Sequence, residues 1–229
     1  MLRTQFAINA CLLIAGILAI GSVRGQEAAP LPPPPSGPVN LEPFIGTEGL
    51  LIATNYSKPL LPASRFGIFA ITEFYGGHEK NGQPGQDRFM GQAHLTHKLL
   101  KNLSLSGGAI TDQVNGFRPT AGVQYQLRPG DFFILFAPRM DLTPSHNGEL
   151  FGFVEYTPRL KGDWRLYSRV QALYNQDLEH GTHAFSYLRL RLGAAYRSLR
   201  FGLGSNFSSY GPYKVQEEEF GLFVGALLF

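Results

Sequence analysis

Within 229 residues, 44% of them hydrophobic and 16% charged, no stretch beyond the first 25 is long and apolar enough for a membrane helix, so any membrane span must be made of strands. A formal net charge of only +3, with no basic block interleaved with aromatics, argues against nucleic-acid binding. The one cysteine, Cys11, lies within those first residues; disulfide frameworks, thiolate metal sites and a cysteine nucleophile are therefore excluded together.

Residues 1–25 carry Arg3, an apolar run from Phe6 to Ile20 and small residues at Val23 and Gly25. This is the pattern of a cleaved secretory signal peptide, with the cut expected before Gln26. Residues 26–40 contain EAAPLPPPPSGPVN, whose prolines predict an extended periplasmic linker. Residues 41–63 are ambiguous: LLIATNY could be a strand, but Pro43, Pro59 and Pro62 interrupt it, and proline cannot donate to a sheet ladder. A plug, a lid or an extra strand all remain open for this segment.

From residue 64 to 229 the hydrophobic period is two. Ten strands are predicted, over 64–75, 88–98, 103–112, 117–127, 131–141, 149–157, 164–174, 183–196, 199–207 and 218–229. Strands of about ten residues, tilted as barrel strands are, match the roughly 25 Å apolar band of an outer membrane. The connections LLKN, LRPGD, PRLKGD and RS are tight, whereas GGHEKNGQPGQD, TPSHN, QDLEHG and SSYGPYKVQEE are mostly longer. The fold class expected is all-β, an up-and-down antiparallel transmembrane β-barrel of about ten strands with both termini in the periplasm, eight or twelve strands being the alternatives.

One face of these strands is apolar or small, as at Leu103, Leu105, Gly107 and Ala109 or Leu188, Leu190 and Leu192. The other is polar, as at Gln92, His94 and Thr96. A soluble lipocalin-like barrel would show the same alternation inverted, and Gly162, Asp163 and Trp164 supply the G-x-W that lipocalins carry, though in the seventh predicted strand rather than the first. Aromatics near strand ends favour lipid outside: Phe74, Tyr75, Phe117, Tyr125, Phe132, Tyr156, Trp164, Tyr174 and Tyr196 fit interfacial girdles.

The last residues, EEFGLFVGALLF, end in Phe229 preceded at alternate positions by Leu227, Gly225, Phe223 and Gly221. This pattern resembles the β-signal of bacterial outer-membrane β-barrel proteins. The resemblance implies a place in the outer membrane, contact with its lipid, and recognition by the barrel-assembly machinery, with Phe223, Leu227 and Phe229 as the assembly signal. The intervening Phe220, Leu222, Val224, Ala226 and Leu228 are apolar too, so the inward face of this strand stays open, and the strand could meet the segment from Leu41 to Pro62.

Catalytic and metal signatures are weak. His94 and His97 differ by three and fall on opposite faces of a strand. His78, His146, His180 and His183 lie at or near the longer connections, where solvation is the ordinary fate of a histidine. No Ser–His pair has the context of the outer-membrane lipases, and no paired acids flank a histidine; neither enzymatic activity nor a cofactor or metal is expected. The polar face is more informative. Taken as inward it carries Arg65, Arg88, Lys98, Arg118, Arg139, Arg165, Arg169, Arg189 and Arg191 against Glu73, Asp141, Glu149 and Glu155. Buried charges must pair, and Glu149 and Glu155 of the sixth predicted strand lie between arginines of the fifth and seventh. The candidate site is thus a lumen charge network of Arg139, Glu149, Glu155, Arg165, Arg169, Arg189 and Arg191. A filled, salt-bridged lumen suits a scaffold or a protein that meets a surface or periplasmic partner. The alternative is that an arginine excess lines a narrow path for small anionic solutes.

Overall fold

The computed structural model describes residues 39–229 except 80, 81, 83, 145 and 229. The expected signal peptide, nearly all of the expected linker, and Phe229 therefore lie outside the described residues.

The period-two segments form β3 (Phe66–Gly77), β4 (Arg88–Lys98), β5 (Leu103–Asp112), β6 (Gly116–Leu127), β7 (Phe132–Asp141), β8 (Asn147–Tyr156), β10 (Trp164–Asp177), β11 (Thr182–Tyr196), β12 (Leu199–Tyr210) and β13 (Val215–Leu228). Two further wall strands, β1 (Val39–Gly46) and β2 (Gly49–Pro59), come from the proline-interrupted segment, with Val39 and Asn40 of the expected linker joining β1, which corrects the expected ten strands to twelve. A three-residue strand, β9 (Arg159–Lys161), pairs only with the base of β10. Each wall strand is antiparallel to its neighbours, and closure comes from β13 pairing with β1, as in Leu41 opposite Ala226, and from β10 pairing with both β8 and β11.

The prolines did not forbid this, for a local reason. Opposite Pro43 the β1–β13 ladder skips from Leu41–Ala226 to Phe44–Phe223, while Pro43 keeps its register with Ile52 of β2. Pro138 repeats the device, since the β6–β7 ladder jumps from Gly122–Arg139 to Tyr125–Phe136. A missing N–H is tolerable where only one of two ladders is interrupted.

The ends of the barrel differ less than the sequence pattern predicts. At the end that carries the described N-terminal strand start, the connections are 60–65, 99–102, 128–131, 157–163 and 197–198; at the far end they are 47–48, 78–87, 113–115, 142–146, 178–181 and 211–214. Much of QDLEHG and SSYGPYKVQEE is absorbed into longer strands, leaving 78–87 as the one long far-end loop. The tight connection 197–198 uses Arg197 at φ 53°, a left-handed conformation of the kind short hairpins need, and its Nε donates to Asp163 Oδ2 at 3.0 Å.

The outward face is apolar around the wall: Leu95, Leu105, Phe136, Val154, Val170, Leu192, Leu203 and Val224 are all exposed. A soluble barrel would bury this face, so the inverted, lipocalin-like arrangement does not hold. Aromatic pairs ring both ends. Phe132–Tyr156 (4.4 Å between centroids), Trp164–Tyr196 (4.9 Å) and Trp164–Phe201 (6.2 Å) lie at the end where β1 starts and β13 finishes. Phe74–Phe89 (4.9 Å) and Phe207–Phe220 (5.8 Å) lie toward the far end. Two such girdles about an apolar band are the exterior of a membrane-spanning barrel. Tyr75, counted with the girdle from sequence, instead points inward, where its OH donates to Glu219 at 3.4 Å.

Candidate functional site

The inward face of the barrel is not simply polar. Residues of the same parity as the lumen charges form two apolar clusters within it. One joins Phe69 and Ile71 of β3 to Leu135, Phe151, Phe153, Leu173 and Tyr187 on β7, β8, β10 and β11; the other joins Phe44, Leu51, Tyr167, Ala195 and Phe223. Strands on opposite walls meet through these side chains.

Charged groups cross the same space. Glu73 receives two hydrogen bonds from Arg189, at 2.5 and 2.9 Å, although four strands lie between β3 and β11 along the wall. Such bidentate, charge-assisted pairs are the strong class of ion pair. Arg191 Nε donates to Glu42 Oε1 at 2.8 Å and its Nη1 to Asn206 Oδ1 at 2.9 Å; Asn206 continues to Glu219 at 3.1 Å. Gly204 makes room for this chain, since a Cβ there would sit 2.9 Å from Arg191 and from Phe44. Glu155 is held by Arg200 at 2.8 and 3.1 Å and by the Tyr167 OH at 3.3 Å. Arg118 reaches Asp112 at 2.5 Å and Asp141 at 3.2 Å. Guanidinium planes stack on rings, Arg189 on Tyr187 at 4.0 Å and Arg169 on Phe153 at 4.5 Å, and each desolvated contact of this kind contributes about 0.5 to 2 kcal/mol.

Of the residues singled out from sequence, Arg139 and Glu149 face each other directly across β7–β8 and form an ion pair. Arg169, Arg189 and Arg191 are drawn together by Glu42 and Glu73. Glu155 does stand opposite Arg169 in register, but its carboxylate is taken by Arg200 of β12. Arg165 is half exposed at the rim, 3.9 Å from Asp131, and Arg65 and Lys98 are exposed as well. Phe223 is buried in the lumen, whereas Leu227 is only partly buried near the strand end.

Glu42, Asp112, Arg200, Asn206, Glu217 and Glu219 were missed. With Arg200 and the four acids among them added, and the rim cations Arg65, Lys98 and Arg165 removed, the inward cations no longer outnumber the acids, and the arginine excess on which the anion path rested is gone. Parity would have found most of them: Arg200 alternates with Gly202 and Gly204, Glu217 and Glu219 with Gly221. Glu42 was hidden because its segment did not read as a strand. The inward aromatics could have been found in the same way, since Phe69 and Ile71 share the parity of Glu73, and Phe151 and Phe153 that of Glu149 and Glu155.

The far end of the lumen is clasped by Arg88, which lies over the Tyr75 ring at 4.3 Å, bonds the Tyr210 hydroxyl, and pairs with Glu217 at 2.9 Å. Toward the other end the fill is incomplete. A cavity of about 50 Å³ remains, its wall running from Ser57, Gln126 and Phe133 to Glu73, Arg169 and Arg189. The histidines take separate local partners: His94 with Thr120 at 2.9 Å, His78 with the Gly46 carbonyl at 3.2 Å, His180 with Asp177 at 2.9 Å, and His183 with the Gly211 carbonyl and Ser186.

No protein-family model and no curated protein sequence matches the chain. Among solved structures it is similar to the NanC porin, with a TM-score of 0.52 and 10% identity over 83% of this chain and 100% of that one. It is also similar to the KdgM porin, solved in complex with disordered oligogalacturonate, with a TM-score of 0.49 and 11% identity over 84% of this chain and 100% of that one. The first likeness is one of fold: a closed antiparallel β-barrel like that of the NanC porin.

Proposed function

Starting from that fold, we propose that the protein resides in the bacterial outer membrane as a barrel closed by its own side chains, and acts there as a scaffold or as a partner of a surface or periplasmic protein. The observation that carries this reading is the Glu73–Arg189 bridge thrown across the lumen between two aromatic clusters, each built from opposite walls. A charge pair that is nearly buried, flanked by packed rings, leaves no continuous water column for free diffusion. The outer rim would then present the 78–87 loop, and the described N-terminal strand would start on the periplasmic side. No catalytic role is part of this proposal.

One observation favours a second reading, a narrow channel for small anions: the cavity beside Arg169 interrupts the fill, and three of the five charged side chains that line it, Arg169, Arg189 and Arg191, are cationic, a local bias toward anions. Planar-bilayer recording separates the two. The closed-barrel reading expects no steady current from the wild-type protein in potassium chloride; a reproducible ohmic, anion-selective conductance would replace it with the channel.

A further inference from the structure

In this cavity buried polar atoms and open space coincide. Arg169 is 8% exposed and Asn40 6% exposed. Both line the cavity, and both present an atom with no hydrogen-bond partner, Arg169 Nε and Asn40 Oδ1. Arg169 donates from Nη2 to Gln171 at 2.5 Å, but the nearest carboxylate oxygen that pairs with it, on Glu42, is 4.0 Å away, and Glu42 is already engaged by Arg191 at 2.8 Å. Of the charged side chains that line this cavity, three are cations, Arg169, Arg189 and Arg191, and two are acids, Glu42 and Glu73; Glu155, opposite Arg169 in register, is engaged by Arg200. A buried cation in excess of its acids is costly, and an entering anion offsets that cost.

We propose that the cavity is a binding site for a small hydroxycarboxylate anion, with Arg169 as its anchor. Size supports this: about 50 Å³ holds roughly three to five waters at about 10 to 15 Å³ each, the room that a carboxylate of two or three carbons takes when it displaces them. The chemistry of the walls agrees. Arg169 Nε donates to a carboxylate oxygen, Asn40 Oδ1 accepts from a ligand hydroxyl, and Phe133, Leu135 and Phe153 supply an apolar face for the carbon end. The inference rests on the closed-barrel reading, since a through-flowing lumen would hydrate Arg169 and remove the need for a resident anion.

The test is thermal unfolding of the detergent-solubilised full chain with sodium lactate, sodium chloride or neutral lactamide at matched ionic strength. Lactate is expected to raise the midpoint saturably, while chloride and lactamide do not. R169Q is expected to abolish the response, and N40D, which places a negative charge against the ligand, to weaken apparent affinity at least tenfold. Equal shifts from lactamide or chloride, no saturable shift from lactate, or a full response in N40D would overturn the site, and N40D decides even where R169Q does not fold. Bilayer current on the same preparation keeps the two readings apart: conductance in chloride defeats the closed barrel, whereas a silent barrel that ignores lactate defeats only the anion site.

Discussion

Replacing Glu73 with alanine tests the lumen most directly. The change removes both oxygens that hold Arg189, whose side chain is 13% exposed, and leaves the guanidinium the Tyr187 face at 4.0 Å and the more distant charge of Glu42. Breaking one half of a buried ion pair costs about 3 to 5 kcal/mol; water in the adjacent cavity screens the stranded charge, so the lower end, about 3 kcal/mol, is expected. For a chain of this size that lowers the midpoint by roughly 6 to 12 °C at ~2 to 4 °C per kcal/mol. The assay is the temperature at which the compact, detergent-resistant form converts to the unfolded form, read by gel mobility and near-UV circular dichroism. In the double variant E73A/R189A no charge is stranded, so most of the lost stability should return, with a coupling of about 2 kcal/mol or more. That variant also deletes the bridge across the lumen, and current should appear in planar bilayers. A loss under about 1 kcal/mol in E73A, with no difference between single and double variants, would show that the pair is hydrated and that the bridge does not close the barrel.

Other expectations concern the wall and the rim. Unboiled protein in detergent should migrate differently from boiled protein, because a closed hydrogen-bonded wall resists detergent; identical migration would count against closure. Leu203, 66% exposed and opposite Leu192 in register, should face lipid near mid-strand, so L203R is expected to destabilise the barrel by ~2 to 4 kcal/mol in urea titrations in lipid vesicles, whereas a neutral effect would place this face in water. In the 178–181 loop, the Asp177 hydrogen bond and charge hold His180 above its ordinary pKa. The protonated pair therefore contributes at low pH, and its contribution fades as pH rises through the raised value. D177N should return the His180 titration, followed by NMR, to the ordinary histidine range; an unchanged titration would show that Asp177 does not set it.

Local alternation was enough to identify most of the wall. β4 and β5 begin and end where the sequence pattern places them, because the residues that meet lipid must be apolar and the polar ones are left to alternate with them on the inner face. Alternation also put Arg169, Glu73 and Arg189 on one face, but it assigned partners only between neighbouring strands. Arg139 and Glu149 are such neighbours. Glu73 and Arg189 stand 116 residues apart, and Glu155 chose Arg200 over the Arg169 beside it in register.

From the sequence alone follow the class of fold, the inward and outward faces of most strands, and the aromatic belts, since each depends on residues within one strand or on its immediate neighbour. Strand number, closure through β1 and β13, and the pairing across the lumen were decided only by the tertiary structure. Whether a proline-interrupted segment such as 39–59 can serve as wall depends on which of its two ladders loses a hydrogen bond, and whether an inward arginine is paired depends on the diameter at which the sheet closes. Both are properties of the closed ring rather than of any one strand.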